Sequence, residues 1–172
     1  MNDELTRKMH IPVVGEYDVI VAGSGPAGIG AAVACARSNL DVLLVERNAA
    51  LGGMMTSGLM SEIHTYLDIK GLMGQMINEL TAKGYALFSR QWPHWRIPND
   101  PEGTKHYLDE LMKTNNVRVL LRALVVDAVV ADKHVTEVIL ASKSGLTAVR
   151  AKYYIDATGD GDLAARAGAE FK

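Results

Sequence analysis

Short apolar runs alternate along this chain with segments whose apolar residues return at helical spacing. Residues 19–22 and 42–45 are continuous apolar runs, the pattern of parallel strands covered on both faces. The small-residue segment between them, ending at Arg37, suits a helix, with Ser38-Asn39 at its end; Asn tolerates the left-handed conformation a helix terminus needs. From Gly71 to Lys83, Leu72, Met76, Ile77 and Leu80 share one helical stripe, and Gly84 is placed to end that helix. Asp100-Pro101-Glu102 opens another helix, with Asp as N-cap and Pro in the first turn; Tyr107, Leu108, Leu111 and Met112 form its apolar face and Asn115-Asn116 stops it.

Strand-like sequence follows. Residues 117–121 predict a third strand of the parallel sheet. Runs at 124–130, 135–141 and 146–151, separated by Ala131-Asp132-Lys133-His134 and Ser142-Lys143-Ser144-Gly145, predict an antiparallel meander. A last strand then returns to the sheet and ends in Asp156-Ala157-Thr158-Gly159-Asp160-Gly161-Asp162, where Asp162 is placed to cap a helix starting at Leu163. A glycine at a strand end usually marks a close backbone approach. Residues 1–16 read as a leader over the first strand, with Pro12 and Gly15 against a long element there.

The first strand runs directly into Gly23-Ser24-Gly25-Pro26-Ala27-Gly28, and the second ends in Glu46-Arg47. Strand, glycine triplet, helix, strand and acid in this order form the dinucleotide-binding fingerprint. Gly23 permits the tight turn, Gly25 lets the backbone approach a pyrophosphate, and Gly28 lets helix and sheet pack closely. Pro26 opens a helix whose N-terminus offers amides and partial positive charge to phosphate. Glu46 is suited to ribose hydroxyls and repels a 2′-phosphate, which disfavours NADP, an argument that Arg47 weakens. The predicted architecture is α/β: a Rossmann-like parallel sheet with an inserted antiparallel three-stranded meander (124–151) and a helical insertion (59–101).

After Arg47, Asn48-Ala49-Ala50-Leu51-Gly52-Gly53-Met54-Met55-Thr56-Ser57-Gly58 describes a loop able to run its backbone against a flat ligand. It leaves the carboxyl end of a strand, where such sheets bind ligands. Gln91-Trp92-Pro93-His94-Trp95-Arg96 is an aromatic and basic cluster in an expected loop. Local packing is the commoner role of such a cluster; the alternative is a substrate pocket, with His94 and Arg96 acting on a carboxylate or a proton.

The 172 residues carry 48% hydrophobic and 22% charged residues, the balance of an ordinary globular protein. A formal net charge of -2 and the lack of a basic run point away from nucleic acid. The single cysteine, Cys35, rules out a disulfide within the chain and a paired-cysteine redox centre; it reads as a small buried hydrophobe. The five histidines are scattered without metal-ligand spacing, so no metal is expected. No run is long enough to span a membrane and the first ten residues do not read as a signal peptide, so a cytoplasmic protein is expected.

Taken together, Gly52 to Gly58 and Ile155 to Asp162 resemble the FAD-dependent oxidoreductases of the glutathione-reductase-like fold. The closest resemblance is to the bacterial family with Gly-Gly-Met-x-Thr-Ser-Gly after the ribose-binding acid and Ile-Asp-Ala-Thr-Gly-Asp-Gly-Asp at a later strand end. The resemblance extends over nearly all of residues 17–172 and implies one FAD-binding domain there, with 59–101 reaching toward a substrate lobe. It implies that Gly23, Gly25, Pro26, Ala27 and Gly28 hold the pyrophosphate, and Glu46 the adenosine ribose with Arg47 beside it. It also implies that Gly53 and Met54 run toward the ribityl half, that Val125 touches adenine through its backbone, and that Ala157 and Gly159 close over FAD. Relatives of this family continue beyond the segment corresponding to Lys172, so the chain resembles their N-terminal portion.

The activity implied is transfer of a hydride or electrons between a small-molecule substrate and FAD. His64, just after the Gly-Gly loop, is the best-placed candidate acid or base, and Thr56 and Ser57 are candidates for hydrogen bonds to flavin or substrate. Two other readings stay open: a catalytically incomplete nucleotide-binding fragment and an NAD-dependent dehydrogenase domain. The substrate, the electron acceptor and the oligomeric state are not legible.

Overall fold

A computed structural model describes residues 8–64, 69–87 and 96–170. Its strands are β1 (Val13–Ala22), β2 (Val42–Glu46), β3 (Glu62–His64), β4 (Arg96–Pro98), β5 (Arg118–Leu121), β6 (Leu124–Ala131), β7 (His134–Ser142) and β8 (Gly145–Asp156). Its helices are α1 (Pro26–Arg37), α2 (Gly71–Ala82), α3 (Pro101–Thr114) and α4 (Asp162–Arg166). Six strands make one sheet in the order β5-β2-β1-β8-β7-β6. The first four run parallel, and β7 and β6 continue the sheet antiparallel from β8.

The central strands are buried on both sides, as their unbroken apolar runs require. Val19 and Val21 of β1 and Val42 and Leu44 of β2 face a core completed by Ile29 and Val33 of α1, Leu80 of α2 and Leu108 and Met112 of α3. Their neighbours Ile20, Ala22, Leu43 and Val45 face the opposite core, with Val125, Val138, Leu140 and Val149 of the meander and Leu163 of α4. This period of two assigns alternate residues to two different hydrophobic layers.

Most helix boundaries follow the expected signals. Asn39 (φ 60°), Gly84 (φ 76°) and Asn116 (φ 56°) take left-handed conformations just beyond the ends of α1, α2 and α3. The Asp100 carboxylate accepts from the Glu102 amide at 3.0 Å and caps α3. Asp132 and Lys133, both at positive φ, form the two-residue turn between β6 and β7, the backbone that a right-twisted hairpin favours.

Three boundaries differ from expectation. β1 begins at Val13, so residues 13–16, expected to belong to a leader, are part of the sheet. The third meander run and the strand expected to return after it are one twelve-residue strand, β8. The early start of β1 is the reason: Val13 pairs with Ala148, so β8 is held by β1 on one side while its first half pairs with β7 on the other. Finally, Arg96–Pro98, expected as loop, pairs antiparallel with Glu62–His64 to make a second, two-stranded sheet within the 59–101 insertion. Residues 91–95, which contain most of the aromatic cluster and His94, lie outside the described residues. Cys35 is only half-buried, packed against the helix-side core.

Candidate functional site

A cleft of about 570 Å³ opens at the carboxyl ends of β1, β2 and β8. Four segments build it: the glycine-rich turn, residues 45–48, the loop at 53–58, and the turn at 157–162, with residues 123–125 closing one end. Of the residues expected to hold a cofactor, Gly23, Gly25, Pro26, Ala27, Glu46, Arg47, Gly53, Met54, Val125, Ala157 and Gly159 all line it. Gly28 does not line the cleft. It is buried behind the turn, and a Cβ there would run into the carbonyl oxygen of Gly23 and reach the Ala157 side chain. Its part is the close packing of α1 on the sheet.

The turn is left-handed at Gly23 (φ 95°), and a Cβ there would strike the Ala157 backbone. The Ala157 amide donates to the Ala22 carbonyl at 2.8 Å, so the end of β8 is pinned against the end of β1. Gly25 differs in kind. A Cβ at Gly25 would meet nothing within 4 Å. The space beside it is open cleft, the condition for a ligand to lie against its backbone. The first-turn amides of Ala27 and Gly28 precede Ile29, whose amide donates to Gly25 O at 3.0 Å. They stand at the positive end of α1.

The second glycine loop is tied to the first. Gly52 N donates to Ser24 O at 2.9 Å, and a Cβ on Gly53 would lie 2.9 Å from Gly25 Cα. Part of the reason for the Gly-Gly pair is therefore contact between two loops of the protein, in addition to access for a ligand. Thr56, expected as a hydrogen-bonding partner of flavin or substrate, is fully buried and donates its hydroxyl to the Leu51 carbonyl. It closes the loop from within. Ser57 does line the cleft.

Glu46 is buried and its carboxylate is well supplied with donors. Oε2 accepts from Ser24 N at 2.9 Å and Ser24 Oγ at 2.6 Å, and Oε1 accepts from Asn48 N at 2.7 Å. A buried carboxylate needs such partners. These bonds carry the acid at the end of β2 into the same unit as the glycine-rich turn.

Asp156, at the end of β8, organises the last wall. Its Oδ1 accepts from Thr158 N at 3.0 Å and Thr158 Oγ1 at 2.7 Å, and its Oδ2 accepts from Ala164 N at 2.8 Å. Thr158 Oγ1 in turn accepts from Asp162 N at 2.9 Å. Burial pushes the Asp156 carboxyl up, but the amides of Thr158 and Ala164 outweigh it and hold the group below the usual carboxylate range. Asp162, expected to cap α4, is instead its first residue; Gly161 precedes it in a left-handed conformation, and Asp156 supplies the side-chain acceptor from six residues upstream. Asp160 and Asp162 line the cleft.

His64 ends β3 opposite Arg96 of β4 and lies 3.4 Å through Nε2 from Glu62 Oε2, while Arg96 approaches the same oxygen at 3.8 Å. His64 is exposed on this ribbon and does not line the cleft. Cleft residues that sequence reasoning did not assign to the site include Ser24, Val45, Ala123, Leu124 and Thr158. Ser24 had a signal, its place between two functional glycines; Ala123 and Leu124 had none, because only the crossing of the chain from β5 to β6 brings them beside Glu46. Among the described residues no group of three or more His, Cys, Asp or Glu is arranged to hold a metal ion, and no helix is long and apolar enough to cross a membrane.

A doubly covered parallel sheet, an antiparallel extension and a cleft built on a glycine-rich turn define a nucleotide-binding fold of the flavoenzyme kind. The chain belongs to the FAD dependent oxidoreductase family, whose sequence profile matches residues 18–172. It is 30% identical over 87 residues to a thioredoxin reductase of Listeria monocytogenes, a match covering 51% of this chain and 26% of that protein. The chain spans about a quarter of the length of this relative and about a third of that of a thioredoxin reductase of Bacillus subtilis. Among solved structures it resembles the THI4 protein of Thermovibrio ammonificans, with a TM-score of 0.65 and 20% identity over 88% of this chain and 61% of that one. A geranylgeranyl bacteriochlorophyll reductase-like protein of Thermoplasma acidophilum gives a TM-score of 0.66 at 19% identity, over 91% and 43% of the two chains. At these identities the two structures speak for the fold alone.

FAD is the cofactor of the family, and the residues present fit it. The open space at Gly25, the α1 amides beside it and the buried, donor-rich Glu46 carboxylate suit a pyrophosphate and an adjoining ribose in one cleft.

Proposed function

We propose that this chain binds FAD in the cleft between the glycine-rich turn and the 157–162 turn, and serves an oxidoreductase acting on a small-molecule substrate. The observation that carries the reading is the juxtaposition of Gly25, Glu46 and Gly53 around one open groove. When bound, FAD supplies the means to accept and release a hydride or electrons.

In this proposal Gly25, Pro26 and Ala27 present backbone and helix N-terminus to the pyrophosphate. Glu46 takes the adenosine ribose and Arg47 lies beside it. Ala123, Leu124 and the Val125 backbone bound the adenine. Gly53, Met54 and Ser57 carry the groove toward the redox end, and Ala157 and Gly159 cover it. His64, with Glu62 and Arg96 beside it, is the proposed proton-handling residue for the substrate. Its place on the ribbon directly after the cleft loop supports that role, while its position outside the cleft lining keeps it from a part in holding FAD.

One cysteine leaves no dithiol pair within this chain, so electrons pass between flavin and substrate or an external carrier without a protein disulfide supplied by these residues. The family match speaks against the NAD-dependent dehydrogenase alternative. The cytoplasm as compartment belongs to the same proposal, and cell fractionation tests it.

The experiment is purification followed by absorbance and titration. Flavin absorbance that survives gel filtration, or quenching of added FAD fluorescence, is the expected result. A chain that gains no colour with FAD overturns the proposal, and one that binds FAD without turning over any substrate supports the nucleotide-binding reading alone.

A further inference from the structure

Glu46 cannot offer both carboxylate oxygens to a ligand, because Ser24 has taken one of them. A carboxylate has about four acceptor directions, two on each oxygen. Ser24 fills both on Oε2, with its amide at 2.9 Å and its hydroxyl at 2.6 Å. Asn48 N fills one on Oε1 at 2.7 Å. One direction on Oε1 is left. Ser24 is 0% and Glu46 4% exposed, so these donors have no water competing for the same oxygen. Bonds to an ionised acceptor in such surroundings are short and strong.

We propose that Ser24 is a positioning residue that fixes how Glu46 takes the ribose: the acid binds a single ribose hydroxyl through Oε1 instead of clasping the 2′ and 3′ hydroxyls together. The proposal rests on the reading of the cleft as the FAD site. Glycine at position 24 would keep the amide bond but lose the hydroxyl, and with it one of the two donors on Oε2. The carboxylate could then turn and present two oxygens. The serine thus links the pyrophosphate-binding turn to the ribose-binding acid and narrows what the acid can bind.

The test uses the full chain, with ADP, 2′-deoxy-ADP and 3′-deoxy-ADP competing against FAD in a fluorescence titration. With the wild-type protein, loss of one hydroxyl weakens competition about tenfold, as for a bond to a charged group, and loss of the other by less than about twofold. Ser24→Ala reduces that asymmetry, and Ser24→Thr, which keeps the hydroxyl, restores it; a serine that merely stabilises the fold would leave the asymmetry untouched. Equal losses for the two deoxy compounds in the wild type, or unchanged asymmetry in Ser24→Ala, overturn the inference while FAD binding stands. If Ser24→Ala does not fold, the wild-type comparison decides alone. Failure of FAD to bind the wild-type chain overturns the reading of the cleft and this inference with it.

Discussion

The carbonyl oxygen of Gly23 occupies the place where a side chain at Gly28 would begin. The obstacle is backbone, held by Gly23 N donating to Val45 O at 2.8 Å, so it cannot swing aside. Gly28→Ala is therefore expected to destabilise the fold by about 3 kcal/mol, the upper range for overpacking. Gly25→Ala meets no protein atom within 4 Å and has an ordinary φ of -64°, so it is expected to unfold like the wild type. It should nonetheless lose FAD affinity, because its methyl group projects where the ligand must lie. Denaturant unfolding and FAD titration on the two variants separate a packing glycine from a binding one; equal stability losses would show that the distinction is wrong.

Asp156 should make the cleft wall sensitive to acid. Its carboxyl is held below its ordinary value of 3.8 in the folded chain, because burial, which raises it, is outweighed by hydrogen bonds from Thr158 and Ala164. A depressed value means stabilisation that is complete above the ordinary Asp range and is lost as pH falls through the folded value. Asp156→Ala is expected to cost about 2 kcal/mol at neutral pH, since it leaves several amide donors unpaired. It should also remove this contribution to the loss of stability below pH 3.8. Urea unfolding of both proteins from pH 7 down to pH 3 checks this; parallel pH curves would sink it.

The comparison of Asp156 with Asp162 shows how far the sequence could be read. An acid just before an apolar helical segment is the usual N-cap signal, and Asp162 stands there. The acceptor that reaches α4 comes instead from Asp156, because the left-handed residues Gly159 and Gly161 fold the turn back on the strand end. Local patterns identify a cap position; they do not reveal which of several nearby acids the backbone will aim at it. The same division holds elsewhere. The buried runs of β1 and β2 and the glycine triplet were legible, since burial on both faces, the positive φ at Gly23 and the close packing at Gly28 leave direct marks on composition. The union of two expected strands into β8, and the burial of Thr56, were not, because they depend on pairing partners distant in sequence.

The helices on the opposite side of the sheet are joined by a polar chain that should matter for stability alone. Tyr107 OH donates to Glu79 Oε2 at 2.7 Å, Gln75 Nε2 donates to Glu79 Oε1 at 2.8 Å, and an Arg37 guanidinium nitrogen donates to Gln75 Oε1 at 2.9 Å. Burial, and then the bond to Glu79, push the Tyr107 phenol well above its usual range, while Gln75 and Tyr107 hold the Glu79 carboxyl low. None of these residues lines the cleft. Tyr107→Phe is expected to lower stability by about 1 kcal/mol and leave the FAD dissociation constant unchanged. A change in FAD affinity at unchanged stability would show that the network reaches the site.

His64 is the residue whose position most limits what it can do. It lies on the β3–β4 ribbon, outside the cleft lining, with Glu62 3.4 Å from its Nε2. A carboxylate at that distance can orient the ring, which suits a residue that passes a proton to or from a substrate. It gives no means of holding FAD. If His64 handles the substrate proton, His64→Asn is expected to slow turnover by about a hundredfold, a typical loss for an acid–base group, with FAD affinity and stability unchanged. Glu62→Gln should produce a smaller loss, since the ring loses the carboxylate that lies 3.4 Å from its Nε2 and orients it. Turnover by His64→Asn at the wild-type rate would remove the histidine from the mechanism and leave the ribbon with a purely structural role.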